Sequence, residues 1–208
     1  HHVPIFCAAD GPKMLALAVE IGDGVITNNK NLVKKRALMS SVAKELGIAV
    51  PYHSVGISTR VTNDIQKDAR VLKPYAAKYI QRETPEFLEG LGFRIKVPDR
   101  DFKLPDGMDL AHATDVEQAI EIASQWITDD FAVWFAQNLA MWGDAKFVAG
   151  RMIDMWKQGV NEILARTDGA FTFPDEVAEA IASDVIPLVR EATGVPVGMA
   201  RTRAALAT

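Results

Sequence analysis

Two short apolar segments, VPIFCAA at 3–9 and GVIT at 24–27, stand on either side of a single stretch with helical spacing. Pro12 suits the first position of that helix, because it lacks the amide that would be unpaired there. Met14, Leu17, Ala18 and Ile21 follow at three- and four-residue intervals, the period of one helix face. A helix connecting two strands in this way predicts that the strands run parallel, since a tight hairpin is excluded.

The same order recurs along the chain. A helix is predicted from about Asn31 to Leu46, stopped by Gly47, and VPYHSVGISTRV at 50–61 reads as a third strand from its β-branched and aromatic content. Ile65, Ala69, Leu72, Ala76, Tyr79 and Ile80 predict one amphipathic helix. Regular pattern then weakens from Glu83 to Asp109, where prolines, glycine and aspartates predict a long loop. TDVE at 114–117 matches a capping box led by Thr114, ahead of helices at about 115–127 and 129–140. GDAKFVAGRMIDMWKQG predicts a capped helix ended by Gly159, VNEILAR at 160–166 a fourth strand, and Asp175 to about Thr193 a last helix before a frayed tail. Four strand–helix units with an enlarged connection at about 83–142 define a single α/β domain with a parallel sheet. An eight-stranded barrel takes about 250 residues, and four units amount to half of one.

Composition supports a packed soluble protein: 49% of the 208 residues are hydrophobic and the net charge is -4. No basic face invites nucleic acid. No window has the roughly 18 apolar residues of a membrane span, and no secretory signal leads the chain, so the expected compartment is the cytoplasm. Cys7 is the only cysteine; it excludes an intrachain disulfide and a cysteine-based zinc site, and reads as core packing.

In a parallel sheet, ligands collect where strand ends lead into helix starts. DGPKM at 10–14 is such a junction. Gly11 leaves the backbone approachable, the amides of Lys13 and Met14 point out of the first turn, and the helix dipole favours an anion there. The competing reading is a plain turn and cap. Thr27 and Asn28, with Asn29, follow the second strand and either donate to a ligand or cap the next helix. Ser58, Thr59 and Arg60 end the third strand, and Arg166 and Thr167 end the fourth; either arginine suits an anionic group or a surface role. His53 lies early in its strand, away from that end, and reads as structural. His112 is a candidate proton carrier in the long connection, and the four tryptophans read as helical core.

The stretch VPIFCAADGPKMLALAVEIGDGVIT resembles a segment of the luciferase-like monooxygenase superfamily, which includes FMN-dependent monooxygenases and deazaflavin-dependent reductases. The likeness extends more weakly through YHSVGISTRVTNDIQKDAR, WGDAKFVAGRMIDMWKQGVNEILAR and DVIPLVRE, so that it covers most of the chain. It implies the last four units of a (β/α)8 TIM-type barrel, with no counterpart of the first four strands. The chain is then a piece of a longer protein or pairs with another chain, a homodimer being expected. The resemblance further implies FMN or deazaflavin (coenzyme F-420) as cofactor. Asp10, Gly11, Pro12, Lys13 and Met14 would surround its phosphate, and Ala8 and Ala9 would leave room for the flat ring or its chain. The implied activity is oxygenation of, or hydride exchange with, a small organic substrate. The alternative is a half barrel that binds flavin without turnover. Neither reading identifies a catalytic base or a metal ligand.

Overall fold

A computed structural model describes residues 3–97, 102–167 and 175–194. In chain order the elements are β1 (Phe6–Ala8), α1 (Pro12–Ile21), β2 (Gly24–Thr27), α2 (Leu32–Leu46), β3 (Tyr52–Val61), α3 (Ile65–Asp68) and α4 (Lys73–Ile80). They continue as α5 (Pro85–Gly90), α6 (Val116–Ala123), α7 (Asp129–Asn138), β4 (Met141–Gly143), α8 (Ala145–Lys157), β5 (Glu162–Arg166), α9 (Asp175–Ala180) and α10 (Ile186–Thr193). The expected α/β architecture is present, and every described strand pairing is parallel.

The sheet is organised around β3. Ser54 and Val55 pair with Ile26 and Thr27 of β2 on one edge and with Glu162 and Ile163 of β5 on the other. Beyond β2 lies β1, with Cys7 opposite Val25. Asp23 in the turn before β2 accepts a 2.7 Å hydrogen bond from the Ile5 amide and so fixes the start of β1. Cys7 is only half-buried, packed at the border of the α1–α2 cluster rather than sealed in the core.

Four expectations need correction. A fifth strand, β4, runs where only helix and loop were expected, and pairs with Thr59–Val61 at the far end of β3; Trp142 therefore lies in a strand. The helix expected over 65–80 is broken into α3, a 3-10 turn at Ala69–Leu72 and α4. Pro74 is the physical reason, since it offers no amide to the preceding turn and its ring crowds the carbonyl four residues back. At α6 the cap is Asp115, whose carboxylate accepts from the Gln118 amide at 3.0 Å, one residue later than the Thr114 box. The 83–109 segment is not all loop, because Thr84 caps the short α5. The tail after 194 lies outside the described residues.

The enlarged connection builds a helical core of its own, with Leu72, Ile80, Leu88, Leu110, Ile127 and Phe131 buried together. Lys73 is buried within this layer, and its ammonium is satisfied by Asp129 at 2.7 Å and the Ser124 hydroxyl at 3.0 Å. A second core packs β3 against α8 through Val55, Ile57, Val148 and Met155. A third holds α1 and α2 against β2 through Leu15, Val19, Val25 and Met39.

Candidate functional site

The carboxyl ends of β2, β3 and β5 open into a cavity of about 430 Å³. Its sheet side is formed by Asn28 and Asn29 after β2, Gly56 to Ser58 of β3, and Arg166 and Thr167 at the end of β5. The helical side is Leu72, Tyr75 and Tyr79 with Phe135 and Leu139, and His112 stands on the same lining. Three expected residues, Asn28, Ser58 and Arg166, are thus brought together.

Arg166 lies across from Gly56, where an added Cβ would be 3.6 Å from its Nε. It has no ion-pair partner among the described residues. Lys30, on the same lining, is different: its ammonium is 2.6 Å from Glu83 and 5.2 Å from the Tyr79 ring centre. Burial and the neighbouring Glu83 carboxylate, which the phenol also meets in a hydrogen bond, push the Tyr79 pKa up, so the phenol stays protonated. The cavity therefore combines an aromatic wall with one uncompensated guanidinium.

Ser58 is held from behind. The indole Nε1 of buried Trp142 donates to its Oγ at 3.0 Å. Arg60, by contrast, does not line the cavity; it lies 3.8 Å from Asp68 and 5.4 Å from the Trp142 ring centre.

The first junction is arranged differently. Gly11 is the N-cap of α1 and has no side chain to offer, and no acidic residue stands in the first turn. A Cβ added at Gly11 would meet nothing within 4 Å, so this backbone is open. Asp10 does not cap the helix. Its carboxylate instead takes the Asn28 amide at 3.1 Å, the Asn28 Nδ2 at 2.8 Å and the Lys35 ammonium at 2.7 Å. Lys35, nearly buried, gives its remaining bonds to the Asn28 carbonyl and Oδ1. Asn28 is consequently spent on fixing the β2–α2 loop, with one Nδ2 hydrogen left over. Ala8, Ala9 and Gly11 to Met14 end β1 and begin α1 and do not line the cavity; the Asp10–Asn28 pair connects the two regions.

Partial burial opposes ionisation of Asp10, but the Lys35 and Asn28 hydrogen bonds and the Lys35 charge outweigh it and hold the carboxyl below its ordinary value. The folded state thus favours the carboxylate. Its stabilisation is present above the unfolded value of about 4 and is lost as pH falls through the folded one. Lys35→Met is expected to lower stability at pH 7 and to differ less from the wild type at pH 3, where the carboxylate's share of the loss shrinks while the Lys35 bonds to Asn28 are still missing. Urea titrations at the two pH values measure this, and an equal gap at both would refute it.

Thr27 is buried rather than open to a ligand. Its hydroxyl donates to the Asn28 carbonyl at 2.9 Å and lies 3.0 Å from His53 Nε2. His53 is fully buried, as its structural reading expects, but its ring reaches the strand-end layer through Thr27. The residues missed by sequence reasoning are the helical wall, Tyr75, Tyr79 and Phe135, because aromatics at helical spacing signal core equally well.

No group of His, Cys, Asp and Glu among the described residues is arranged to hold a metal ion. No described helix is long and apolar enough to cross a membrane.

No family model matches the sequence, and no curated protein matches it. Among solved structures, the chain is similar to a coenzyme F420 dependent tetrahydromethanopterin reductase from Methanopyrus kandleri, at 22% identity and a TM-score of 0.56 over 89% of this chain and 50% of that one. It is also similar to an F420-dependent secondary alcohol dehydrogenase in complex with an F420-acetone adduct, at 17% identity and a TM-score of 0.57, covering 91% and 50%. The chain spans about half the length of these structures, 50% in both cases. At such identities the likeness establishes the fold, an α/β half of a larger architecture.

Proposed function

We propose that this chain is the C-terminal part of a flavin- or deazaflavin-dependent oxidoreductase of the luciferase-like monooxygenase superfamily, acting on a small organic substrate. The observation that carries the reading is the pairing of an aromatic wall with the uncompensated Arg166 at the carboxyl end of a parallel sheet. The volume, about 430 Å³, falls within the range of small-molecule sites. Tyr75, Tyr79 and Phe135 suit a flat ring, and Arg166 and Thr167 suit an anionic tail. The open backbone at Gly11, with the Lys13 and Met14 amides beyond it, suits a phosphate. The residues present fit the group.

When bound, such a cofactor supplies hydride transfer or, in its reduced flavin form, reaction with oxygen. The chain's own part is placement and charge. Trp142 fixes Ser58 against the cavity, Glu83 cancels Lys30, and the protonated Tyr79 keeps the wall neutral. His112, whose Nδ1 is 4.0 Å from Asp109 Oδ1, is the imidazole positioned to carry a proton at the lining.

The test is a fluorescence titration of the purified chain with FMN and with the deazaflavin coenzyme. Saturable binding of one is expected, weakened about 10- to 100-fold by Arg166→Ala, the cost of losing hydrogen bonds to a charged group. Because Arg166 is exposed, its removal should leave the unfolding midpoint unchanged. Failure of both cofactors to bind overturns the reading. Binding that ignores Arg166→Ala removes the arginine from the tail site.

A further inference from the structure

Asn28 stands just past the end of β2, on the lining of the cavity, and nearly every hydrogen-bonding position it has is taken by the protein. An asparagine residue offers three N–H donors and two oxygens with two lone pairs each. Its backbone amide donates to Asp10 Oδ1 at 3.1 Å, and its Nδ2 donates to Asp10 Oδ2 at 2.8 Å. The backbone carbonyl accepts from the Thr27 hydroxyl at 2.9 Å and from the Lys35 ammonium at 3.0 Å. Oδ1 accepts from the same ammonium at 2.7 Å and from the Lys30 amide at 2.9 Å. Both oxygens are filled, and one Nδ2 hydrogen remains. The orientation of a side-chain amide follows from its hydrogen-bond network, and here two charges decide it. Turned over, the NH2 group would face the Lys35 ammonium and the Lys30 amide, and the oxygen would face the Asp10 carboxylate.

We propose that Asn28 is a hydrogen-bond donor to the molecule held in the cavity, and that Lys35 and Asp10 are the positioning residues that aim it; this rests on the oxidoreductase reading above. The group recognised is an acceptor oxygen of the flavin or deazaflavin. A group that can only donate finds no lone pair on Asn28. Lys35 acts through Asn28 and not on the ligand, because its ammonium has three hydrogens and gives them to Asp10 Oδ1, the Asn28 carbonyl and Asn28 Oδ1. Its side chain is also nearly buried on α2, and Asp10 offsets its charge. A side chain clamped before the ligand arrives loses little rotamer freedom on binding. That is what a lysine, an aspartate and a backbone amide converging on one asparagine supply.

A double-mutant cycle in cofactor affinity tests this, using whichever of FMN and the deazaflavin coenzyme binds the wild type. Asn28→Ala should weaken binding about 3- to 10-fold, the worth of one hydrogen bond. Lys35→Met should weaken it by no more than that, and the double variant should be no weaker than Asn28→Ala alone. Far-ultraviolet circular dichroism checks that each variant is folded. Should Lys35→Met unfold, the exposed Asp10 supplies the second arm: Asp10→Ala should likewise add no loss to Asn28→Ala. Nitrogen-edited NMR reads the contact directly, because the side-chain amide signal that disappears in Asn28→Ala should move when cofactor is added to the wild type. Full binding by Asn28→Ala overturns the proposal. So do losses that multiply in the double variant, which would show Lys35 acting on the fold at large and not through Asn28. In both cases the wild type still binds, and the oxidoreductase reading stands. A wild type that binds neither cofactor overturns that reading and this inference together.

Discussion

Replacing Trp142 by alanine is expected to cost the fold about 3–5 kcal/mol, the range for deleting a large buried aromatic. Trp142 is the largest fully buried side chain, and it belongs to the same core as Phe131, Ala136 and Leu72. It also serves two neighbours: the indole donates to Ser58, and Arg60 lies against its ring. The alanine variant leaves a cavity and removes the indole hydrogen bond that links β4 to the Ser58 hydroxyl. Trp142→Phe separates the two losses, since it keeps most of the volume and removes the donor. In urea, Trp142→Ala should lower the midpoint without changing the slope, while Trp142→Phe should lose much less stability. A loss under about 1 kcal/mol for the alanine variant would contradict this account of the core.

The same residue shows where sequence reading reached its limit. MWG at 141–143 has no period to detect, because three residues between helices carry no alternation; β4 exists by pairing with the end of β3. The β1, α1 and β2 unit is legible because each part declares itself locally, through an apolar run, Pro12 at the helix start and Gly24 at the next strand. The apolar stripe at 65–80 is also real, but it does not register what Pro74 does to the backbone. At the site, Ser58 and Arg166 are readable from topology alone, since parallel strands end where ligands gather. The helical wall is not, because which face of α4 and α7 meets the cavity depends on how the enlarged connection packs. Asp10 and Asn28 have the chemistry of ligands, yet bind each other and Lys35, a partner 25 residues beyond Asp10 that no local pattern announces.

His53 should make stability fall on mild acidification. Thr27 donates its hydroxyl hydrogen to the Asn28 carbonyl, so its oxygen accepts from His53 and assigns the ring proton to Nε2. Nδ1 is then the bare nitrogen, buried and without a partner among the described residues. Burial, with the Arg36 and Lys35 charges from α2, lowers the His53 pKa from 6.5 to about 4. Above pH 6.5 the imidazole is neutral in both states and the shift changes nothing. Between 6.5 and about 4 the unfolded chain takes up a proton that the folded one refuses, so stability declines as pH falls. Two and a half units correspond to roughly 3 kcal/mol over that window. His53→Gln retains an amide donor for Thr27 and has no charge to gain. Its stability at pH 7 should be lower than wild type, while its decline from pH 7 to pH 4.5 should be shallower by about 2–3 kcal/mol. Parallel declines in the two proteins would show that the buried ring accepts its proton without cost, and that the α2 cations do not act on it.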